Sequence, residues 1–252
     1  MKAERIVRKS FAALAGFCLC LAFHSIAASP DELFQNGTNA YRAADYAQAA
    51  AAFRESAALR PASGTLHNLG NAEWQRGRSG LAVLAWEQAL WVSPFNQAAH
   101  NNLRFARKTA QLEAPDLVWY EVVSTWLPVN WWAWISGLSF WTAVGFVLLP
   151  GIFRFPKTTW HQAVAAICLT IFLLSLPAHY GALTRSRVGF VLRKETPLLL
   201  TPTDNGQVLT RLSAGEPARV QRVRGNYLLL RTNRVLGWTQ RDRFGLICGK
   251  VD

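Results

Sequence analysis

Apolar and small residues recur with helical spacing along the N-terminal part of the chain, and one set of them occurs twice. Between Leu66 and Pro94 the apolar positions follow one another every three or four residues, which predicts two short helices packed on each other. The same marks are present one unit earlier, and a period of about 34 residues predicts a helical solenoid. The matched pairs are Gly37 and Gly70, Tyr41 and Trp74, Asp45 and Arg78, Ala49 and Ala82, Phe53 and Trp86, and Pro61 and Pro94.

The repeated positions have residue types that suit helices in close contact. The small residue Gly70 lets a second helix approach, and Trp74 fills the space beside the contact. Ala82 and Trp86 belong to an apolar stripe that only neighbouring helices can cover, and Pro94 ends the second helix.

This unit resembles the tetratricopeptide repeat over residues 31–112. The resemblance implies an all-α solenoid with two full repeats and a third leading helix that covers the end of the second repeat. The second repeat has Gly77 where a turn glycine is usual, whereas the first repeat has Ala44. The departure concerns the first turn and not the repeat as a whole.

Three other apolar stretches indicate export and a membrane anchor. Basic residues, a short apolar run and a small-residue end predict a signal peptide at residues 1–28. Two longer apolar runs predict transmembrane helices at residues 131–153 and 163–183, and the uncharged part of the first would rise about 28 Å, close to the hydrocarbon thickness. The loop between them, residues 154–162, is short, so the two helices form a hairpin.

The orientation of this hairpin follows from the export signal. A signal followed by two crossings of the bacterial inner membrane places both soluble parts in the periplasm and residues 154–162 in the cytoplasm. The distribution of basic residues does not favour this orientation, because the outer flank carries Arg185 and Arg187 while the inner loop has Arg154 and Lys157. The orientation is therefore predicted from the signal.

Residues 113–130 connect the repeats to the hairpin and contain Trp119, Tyr120 and Trp126. Aromatic rings of this kind favour the headgroup level, which predicts an interfacial linker helix lying along the membrane. The alternative is an ordinary connecting helix packed on the third repeat.

Short apolar runs alternate with turn signals in residues 188–252, which predicts five short strands and a small all-β barrel. Gly215, Tyr227, Arg231, Gly237 and Trp238 give this region a resemblance to bacterial SH3 domains. The resemblance implies a barrel that binds peptidoglycan or peptides, or one that serves only as an interaction module. Tyr227, Arg231 and Trp238 are the candidate surface; the alternative for Trp238 is a core or rim aromatic.

The formal net charge is +12 at pH 7, and most of it lies in the predicted C-terminal barrel. A basic domain favours anionic partners such as membrane lipid headgroups, peptidoglycan and related wall polymers, or acidic protein surfaces. The alternative is a solubilising surface without a ligand. An exported domain does not meet nucleic acid, so we expect no nucleic-acid partner.

A peptide-binding groove is predicted on the repeats. The first helix of each tetratricopeptide unit lines the concave face, and residues four apart share a stripe. Asn71 is expected to bond a peptide backbone, and Arg104 and Lys108 to hold a carboxylate; the alternative is a solvated face. The predicted groove residues are His67, Asn71, Gln75, His100, Arg104 and Lys108.

Catalytic chemistry has little support in the sequence. His67 and His100 can approach each other on adjacent helices, but no cysteine or carboxylate completes a metal set beside them. No phosphate-binding glycine loop, nucleophile elbow or zinc-protease motif is present. We therefore expect no enzyme activity, no cofactor and no metal.

The order of the parts is more specific than any one of them. Signal peptide, tetratricopeptide repeats, two transmembrane helices and a terminal SH3-like barrel together resemble the BatE-type proteins of bacterial aerotolerance (Bat) operons. The resemblance implies an envelope scaffold that works beside membrane proteins with von Willebrand A domains and a MoxR-type ATPase. Two functions stay open: an adaptor that recruits membrane and periplasmic proteins, and a wall-binding module whose basic barrel holds peptidoglycan.

Overall fold

The computed structural model describes residues 28–153 and 159–249. The predicted signal peptide, apart from Ala28, and most of the predicted cytoplasmic loop lie outside these residues. The N-terminal part is helical, as predicted. Its helices are α1 (Pro30–Arg42), α2 (Tyr46–Leu59), α3 (Ser63–Gln75), α4 (Ser79–Val92) and α5 (Gln97–Ala110).

Local sequence fixes where several of these helices begin. Ser29 and Glu32 form a capping box at α1, in which each side chain accepts a hydrogen bond from the other residue's backbone N–H. The carboxylate of Asp45 accepts from the backbone of Gln48 at the start of α2, and Asn96 has the same role at α5. These caps define short helices joined by tight turns.

The repeated glycines lie where helices meet most closely. A Cβ atom on Gly37 would lie 2.8 Å from the ring of Phe53, and one on Gly70 would lie 2.4 Å from Nε1 of Trp86. Both distances are shorter than van der Waals contact, so only glycine lets α1 pack on α2 and α3 on α4 in this way. The close approach predicted at Gly70 is confirmed.

Three helices follow the repeats: α6 (Trp119–Ser124), α7 (Val129–Ile152) and α8 (Thr159–Arg185). The helices α7 and α8 pack along each other, and each is long and apolar enough to cross a membrane, with a mean hydropathy of 1.7 and 1.8 over its best window. Only 17% of each window is buried inside the protein. Their apolar side chains are therefore mostly exposed, which is compatible with helices that cross a membrane.

Within the predicted linker helix, residues 113–130, only α6 and the first two residues of α7 are helical, and α6 packs on the end of α8. A Cβ atom on Gly181 would lie 2.0 Å from the carbonyl oxygen of Tyr120, and the rings of Tyr120 and Tyr180 are 5.1 Å apart. The small residue on α8 thus allows the backbone of α6 to lie directly against it.

The C-terminal part is an antiparallel sheet. Its strands are β1 (Val188–Val191), β2 (Thr196–Leu199), β3 (Val208–Leu212), β4 (Pro217–Arg224), β5 (Tyr227–Arg231), β6 (Leu236–Gln240) and β7 (Phe244–Leu246). A short 3-10 helix, Arg241–Arg243, precedes the last strand. In the described residues the strands have the order β3-β2-β6-β5-β4-β1-β7 across the sheet.

The predicted closed five-stranded barrel is wrong. The sheet has seven strands in the described residues and stays open, with β3 and β7 as its edges. Helix α4 covers the edge formed by β1 and β7: Gln88 Nε2 donates to the carbonyl oxygen of Leu246 at 3.1 Å, and Gly245 lies against Leu84. A helix that covers an edge removes the need for that edge to pair with another strand.

The sheet and the repeats share one hydrophobic core. Val188, Phe190 and Ile247 of the sheet are buried in the same cluster as Val83 and Trp86 of α4. The two soluble parts are therefore in direct contact and must lie on the same side of any membrane that the hairpin crosses.

An ion pair with a buried carboxylate joins the sheet to α6, and its arginine also bonds to α8. The guanidinium of Arg219 on β4 donates to both carboxylate oxygens of Glu121 on α6, at 2.6 and 2.8 Å, and to the carbonyl oxygen of Thr184 on α8 at 3.1 Å. Glu121 is 0% exposed. The bidentate geometry fixes how the hairpin meets the sheet.

Candidate functional site

Two of the three predicted groove residues on α3, His67 and Asn71, lie in a polar network between the repeats, whereas the third, Gln75, is exposed. The side-chain oxygen of Asn71 accepts hydrogen bonds from Nε1 of Trp86 at 3.1 Å and from Nδ2 of Asn102 at 2.7 Å. Nδ2 of Asn102 also lies 3.1 Å from Nε2 of His67. Asn71 therefore uses its acceptor within the protein, and its predicted bond to a peptide backbone stays a prediction.

His67 is half-buried in this network, and its burial lowers the pKa of the imidazole, against a smaller opposite effect from the Asn68 side chain. The imidazole is therefore neutral at physiological pH and serves as a hydrogen-bonding group between helices. The sequence analysis did not identify Asn102 as a member of this network. Its position on the buried side of α5, beside Leu103, was the available signal.

The predicted residues on α5 separate into two groups. Arg104 and Lys108 are exposed, and neither takes part in any ion pair found in the described residues. His100 is also exposed, but its Nε2 lies 2.9 Å from the carbonyl oxygen of Pro94. The two cations are thus available to an external carboxylate, whereas His100 is oriented towards the loop before α5.

An aromatic pair lies beside these cations and joins α3 to α5. The rings of Trp74 and Phe105 are 5.9 Å apart in an edge-to-face arrangement, and Phe105 is 59% exposed. Phe105 is a residue that sequence reasoning missed, although an apolar side chain among the polar residues of α5 was a visible signal. We define the repeat face as the surface formed by Trp74, Gln75, Arg104, Phe105 and Lys108.

The repeat face has two chemical capacities. Two cations one helical turn apart can bind a carboxylate through charge-assisted hydrogen bonds. The exposed ring of Phe105, supported by Trp74, offers apolar surface to a neighbouring side chain of the same ligand. An acidic peptide segment with an adjacent apolar residue fits both.

The predicted surface residues of the sheet lie on one face of it. Tyr227 and Arg231 are both on β5, Tyr227 two residues before Leu229 and Arg231 two residues after it. Trp238 on β6 pairs with Leu229. Alternate residues of a strand share a face and paired residues share a face, so all four side chains are on the same side. Leu228 and Leu230, on the other side, are fully buried in the core of the sheet.

Trp238 is partly exposed and lies outside the core of the sheet, so it is a surface aromatic. Arg222 and Arg224 join it, because they pair with Leu229 and Tyr227 and are exposed. The hydroxyl of Tyr227 donates to the carboxylate of Asp204. We define the sheet face as Arg222, Arg224, Tyr227, Leu229, Arg231 and Trp238.

The sheet face combines guanidinium groups with exposed aromatic and aliphatic surface. Arginine pairs with carboxylates or phosphates, and aromatic rings stack on flat or apolar groups. This surface therefore suits an extended anionic polymer better than a compact ligand.

Metal ligands and thiols are the remaining reactive groups of the described residues. Within 28–153 and 159–249, no group of three or more His, Cys, Asp or Glu side chains is placed to hold a metal ion. Cys168 and Cys248 are free thiols. Burial raises the pKa of Cys248, whose thiol lies 3.1 Å from the carbonyl oxygen of Ser186, so this thiol is protonated at neutral pH.

Comparisons with known proteins do not assign this chain. No protein-family model matches its sequence, and no curated protein matches it at a significant level.

Proposed function

We propose that the chain is a non-enzymatic scaffold of the bacterial envelope, anchored in the inner membrane by α7 and α8, that binds partner proteins through the repeat face. Both soluble parts lie in the periplasm in this proposal. The order of the parts, with helical repeats, two apolar helices and a terminal antiparallel sheet, supports a relation to the BatE-type proteins of Bat operons. The sheet is then a variant of the SH3-like type that is open where helix α4 covers it.

The observation that carries the proposal is the pair of exposed cations on α5. Arg104 and Lys108 have no ion-pair partner in the described residues and lie beside the exposed ring of Phe105. An external carboxylate bound by such a pair contributes about 2 kcal/mol through charge-assisted hydrogen bonds. The partner is therefore expected to present an acidic side chain or a chain-terminal carboxylate.

The junctions between the parts give the repeat face a fixed position above the membrane. The repeats share a core with the sheet, and the sheet is bonded to the hairpin through Arg219 and Glu121. A partner bound to the repeats is thus held at a constant distance from the bilayer. A constant distance from the bilayer suits a partner that is itself a membrane protein. The BatE resemblance implies such partners, namely membrane proteins with von Willebrand A domains, together with a MoxR-type ATPase system.

Charge reversal on the repeat face tests the scaffold function. The Arg104→Glu/Lys108→Glu variant replaces two cations by two anions, so capture of a co-expressed von Willebrand A-domain membrane protein should fall at least about tenfold. Capture is measured by affinity purification of the full chain from solubilised membranes. Normal capture by this variant, at an unchanged level in the membrane fraction, would defeat the proposed role of the repeat face.

The matched control for that experiment is Arg222→Glu/Arg224→Glu, which reverses the same number of exposed charges on the sheet face. It also examines the second candidate function, in which the sheet face binds peptidoglycan. The aromatic and arginine composition of that face is the observation that favours this candidate. If only the sheet-face variant loses co-sedimentation with purified sacculi, while only the repeat-face variant loses partner capture, both surfaces are functional and distinct.

A further inference from the structure

A cavity of about 370 Å³ lies where the repeats, the membrane hairpin and the sheet meet. Its walls are mostly apolar and come from α4 and α5, from the segment before α6, from β1 and from the residue that follows β7. Cavities of this volume are at the lower end of those that hold small organic ligands. The apolar residues that enclose it include Leu90, Trp91, Leu117, Val188, Phe190 and Ile247.

Arg185, the last residue of α8, lines this cavity and is only 7% exposed. Its Nε atom is buried and has no hydrogen-bond partner in the described part of the chain. The guanidinium carbon lies 4.6 Å from the centre of the Trp91 ring, so one face of the group is covered by an aromatic surface. A buried guanidinium donor without an acceptor is costly, which indicates a site completed by an acceptor from outside.

The other charged groups of the cavity leave an excess of positive charge. Arg107 pairs with the carboxylate of Glu87, and His100 lies at the same wall. Burial raises the pKa of Glu87, and the charges of Arg107, Arg185 and His100 oppose that rise. When Glu87 is ionised it balances one arginine of the two, and when it is protonated it balances none. Glu121 also acts on Arg185, but its carboxylate is bonded by Arg219, so in both states the three arginines exceed the carboxylates by at least one charge.

We propose that this cavity binds one anionic group, a carboxylate or a phosphate, attached to an apolar body, with Arg185 donating to the anion and the apolar walls enclosing the rest. A carboxylate or phosphate oxygen supplies an acceptor and a counter-charge for the guanidinium of Arg185, which lines the cavity and has an unpartnered Nε in the described part of the chain. The apolar residues would not favour a free inorganic ion, because such an ion would lose its hydration without filling the cavity.

Two sources can supply this chemistry. A helix that crosses the bilayer ends near the headgroups, and Arg185 ends α8, so the phosphate of an anionic lipid is one source. A free aliphatic acid in the periplasm is the other. A lipid brings its phosphate from the membrane side, whereas a free acid enters from solution, and short-chain probes of each kind distinguish them.

The experiment uses the full chain in a neutral maltoside detergent, with sodium hexanoate and dihexanoyl phosphatidylglycerol as probes and hexanol and dihexanoylglycerol as uncharged counterparts. Saturable binding is measured by calorimetry and by the shift of the unfolding midpoint. We expect at least one of the two anionic probes to bind and both uncharged counterparts to fail. Binding of hexanoate assigns the free acid, and binding of the phospholipid alone assigns the lipid headgroup.

Variants connect the binding to Arg185. Arg185→Gln removes the charge and should weaken binding of the anionic probe at least about tenfold. Arg185→Lys keeps the charge and should retain most of the affinity. The control Arg187→Gln removes an exposed arginine that does not line the cavity, and it should bind as the wild type does. Equal affinity in the Arg185→Gln and wild-type proteins would overturn the proposal. Absence of saturable binding of both anionic probes to the wild-type protein would also overturn it, and so would equal binding of hexanol and hexanoate. Both of these measurements use the wild-type protein and do not depend on whether a variant folds.

Discussion

Ala44 and Gly77 occupy equivalent turns between the two helices of each repeat and share a left-handed backbone conformation. Their φ angles are 60° and 73°. Glycine adopts this conformation freely, whereas a side chain makes it unfavourable. The first turn therefore has the geometry of the second in spite of its alanine, and Ala44 bears a conformational cost that Gly77 avoids.

Exchanging these two residues should shift stability in opposite directions. Ala44→Gly is expected to stabilise the folded protein by about 1 kcal/mol, and Gly77→Ala to destabilise it by a similar amount. A Cβ atom on Gly77 would meet nothing within 4 Å, so its cost arises from the backbone alone. Chemical denaturation of the detergent-solubilised protein, followed by circular dichroism, measures both changes. Shifts of the same sign in the two variants would show that the turns are not equivalent.

Residue types predicted the close contacts of the repeats but not their hydrogen bonds. Gly70 was predicted to let a second helix approach closely, and the structure places the ring of Trp86 against it. The bonds from Trp86 Nε1 to Asn71 and to the carbonyl oxygen of His67 depend on side-chain rotamers. Spacing along a helix gives the face on which a residue lies, and it contains no information about which partner its polar atoms reach.

At the scale of secondary-structure elements, the Glu121–Arg219 pair joins α6 to the sheet, and Arg219 also donates to the carbonyl oxygen of Thr184 near the end of α8. Burial raises the pKa of Glu121, but the hydrogen bonds from Arg219 and from the backbone of Val118 outweigh this effect, and the pKa is lowered. A lowered pKa stabilises the folded state at any pH above the unfolded value. That contribution is lost as the pH falls through the lower, folded-state value.

Removing the charge of Glu121 should destabilise the protein and change its response to acid. Glu121→Gln leaves Arg219 without its counter-ion and should cost about 3 kcal/mol at neutral pH. The difference from wild type should begin to shrink near the usual glutamate pKa of 4.5, where the unfolded state takes up a proton, and should be lost below the lower folded-state value, where the folded wild-type carboxylate is protonated too. Unfolding midpoints measured from pH 7 to pH 3 give both quantities.

Glu113 supplies the matched control for that prediction. It forms hydrogen bonds with Arg234 and Asn233 between the linker and the sheet, but the pair is exposed to solvent. Exposed ion pairs contribute little, so Glu113→Gln should leave the unfolding midpoint unchanged. Equal effects of the two substitutions would mean that Glu121 has no special role at the junction.

Secondary-structure elements were predicted correctly where the sequence signal is local. The prediction was wrong where the structure depends on contacts between distant parts of the chain. The helical period predicted α1 to α5, and the uncharged runs predicted α7 and α8 within a few residues. The runs of the sheet also predicted most of its strands. The sequence did not show that the sheet stays open, because its edge at β7 is covered by α4, which is more than a hundred residues earlier in the chain.

At the scale of the whole molecule, the repeats, the sheet and the hairpin form one connected unit. Val188, Phe190 and Ile247 bury the sheet against α4, while Arg219 bonds the sheet to α6 and α8. The two soluble parts cannot separate without exposing that shared core. A partner on the repeat face and a ligand in the cavity beside Arg185 would therefore contact the same connected unit.

The scaffold function requires that both soluble parts lie together in the periplasm, and reporter fusions test this requirement most directly. Alkaline phosphatase, which is active only outside the cytoplasm, and green fluorescent protein, which fluoresces only within it, are fused after Asp116 and after Asp252. The expected result is active phosphatase and no fluorescence at both positions. Fluorescence with inactive phosphatase at either position would contradict the proposed location of the protein.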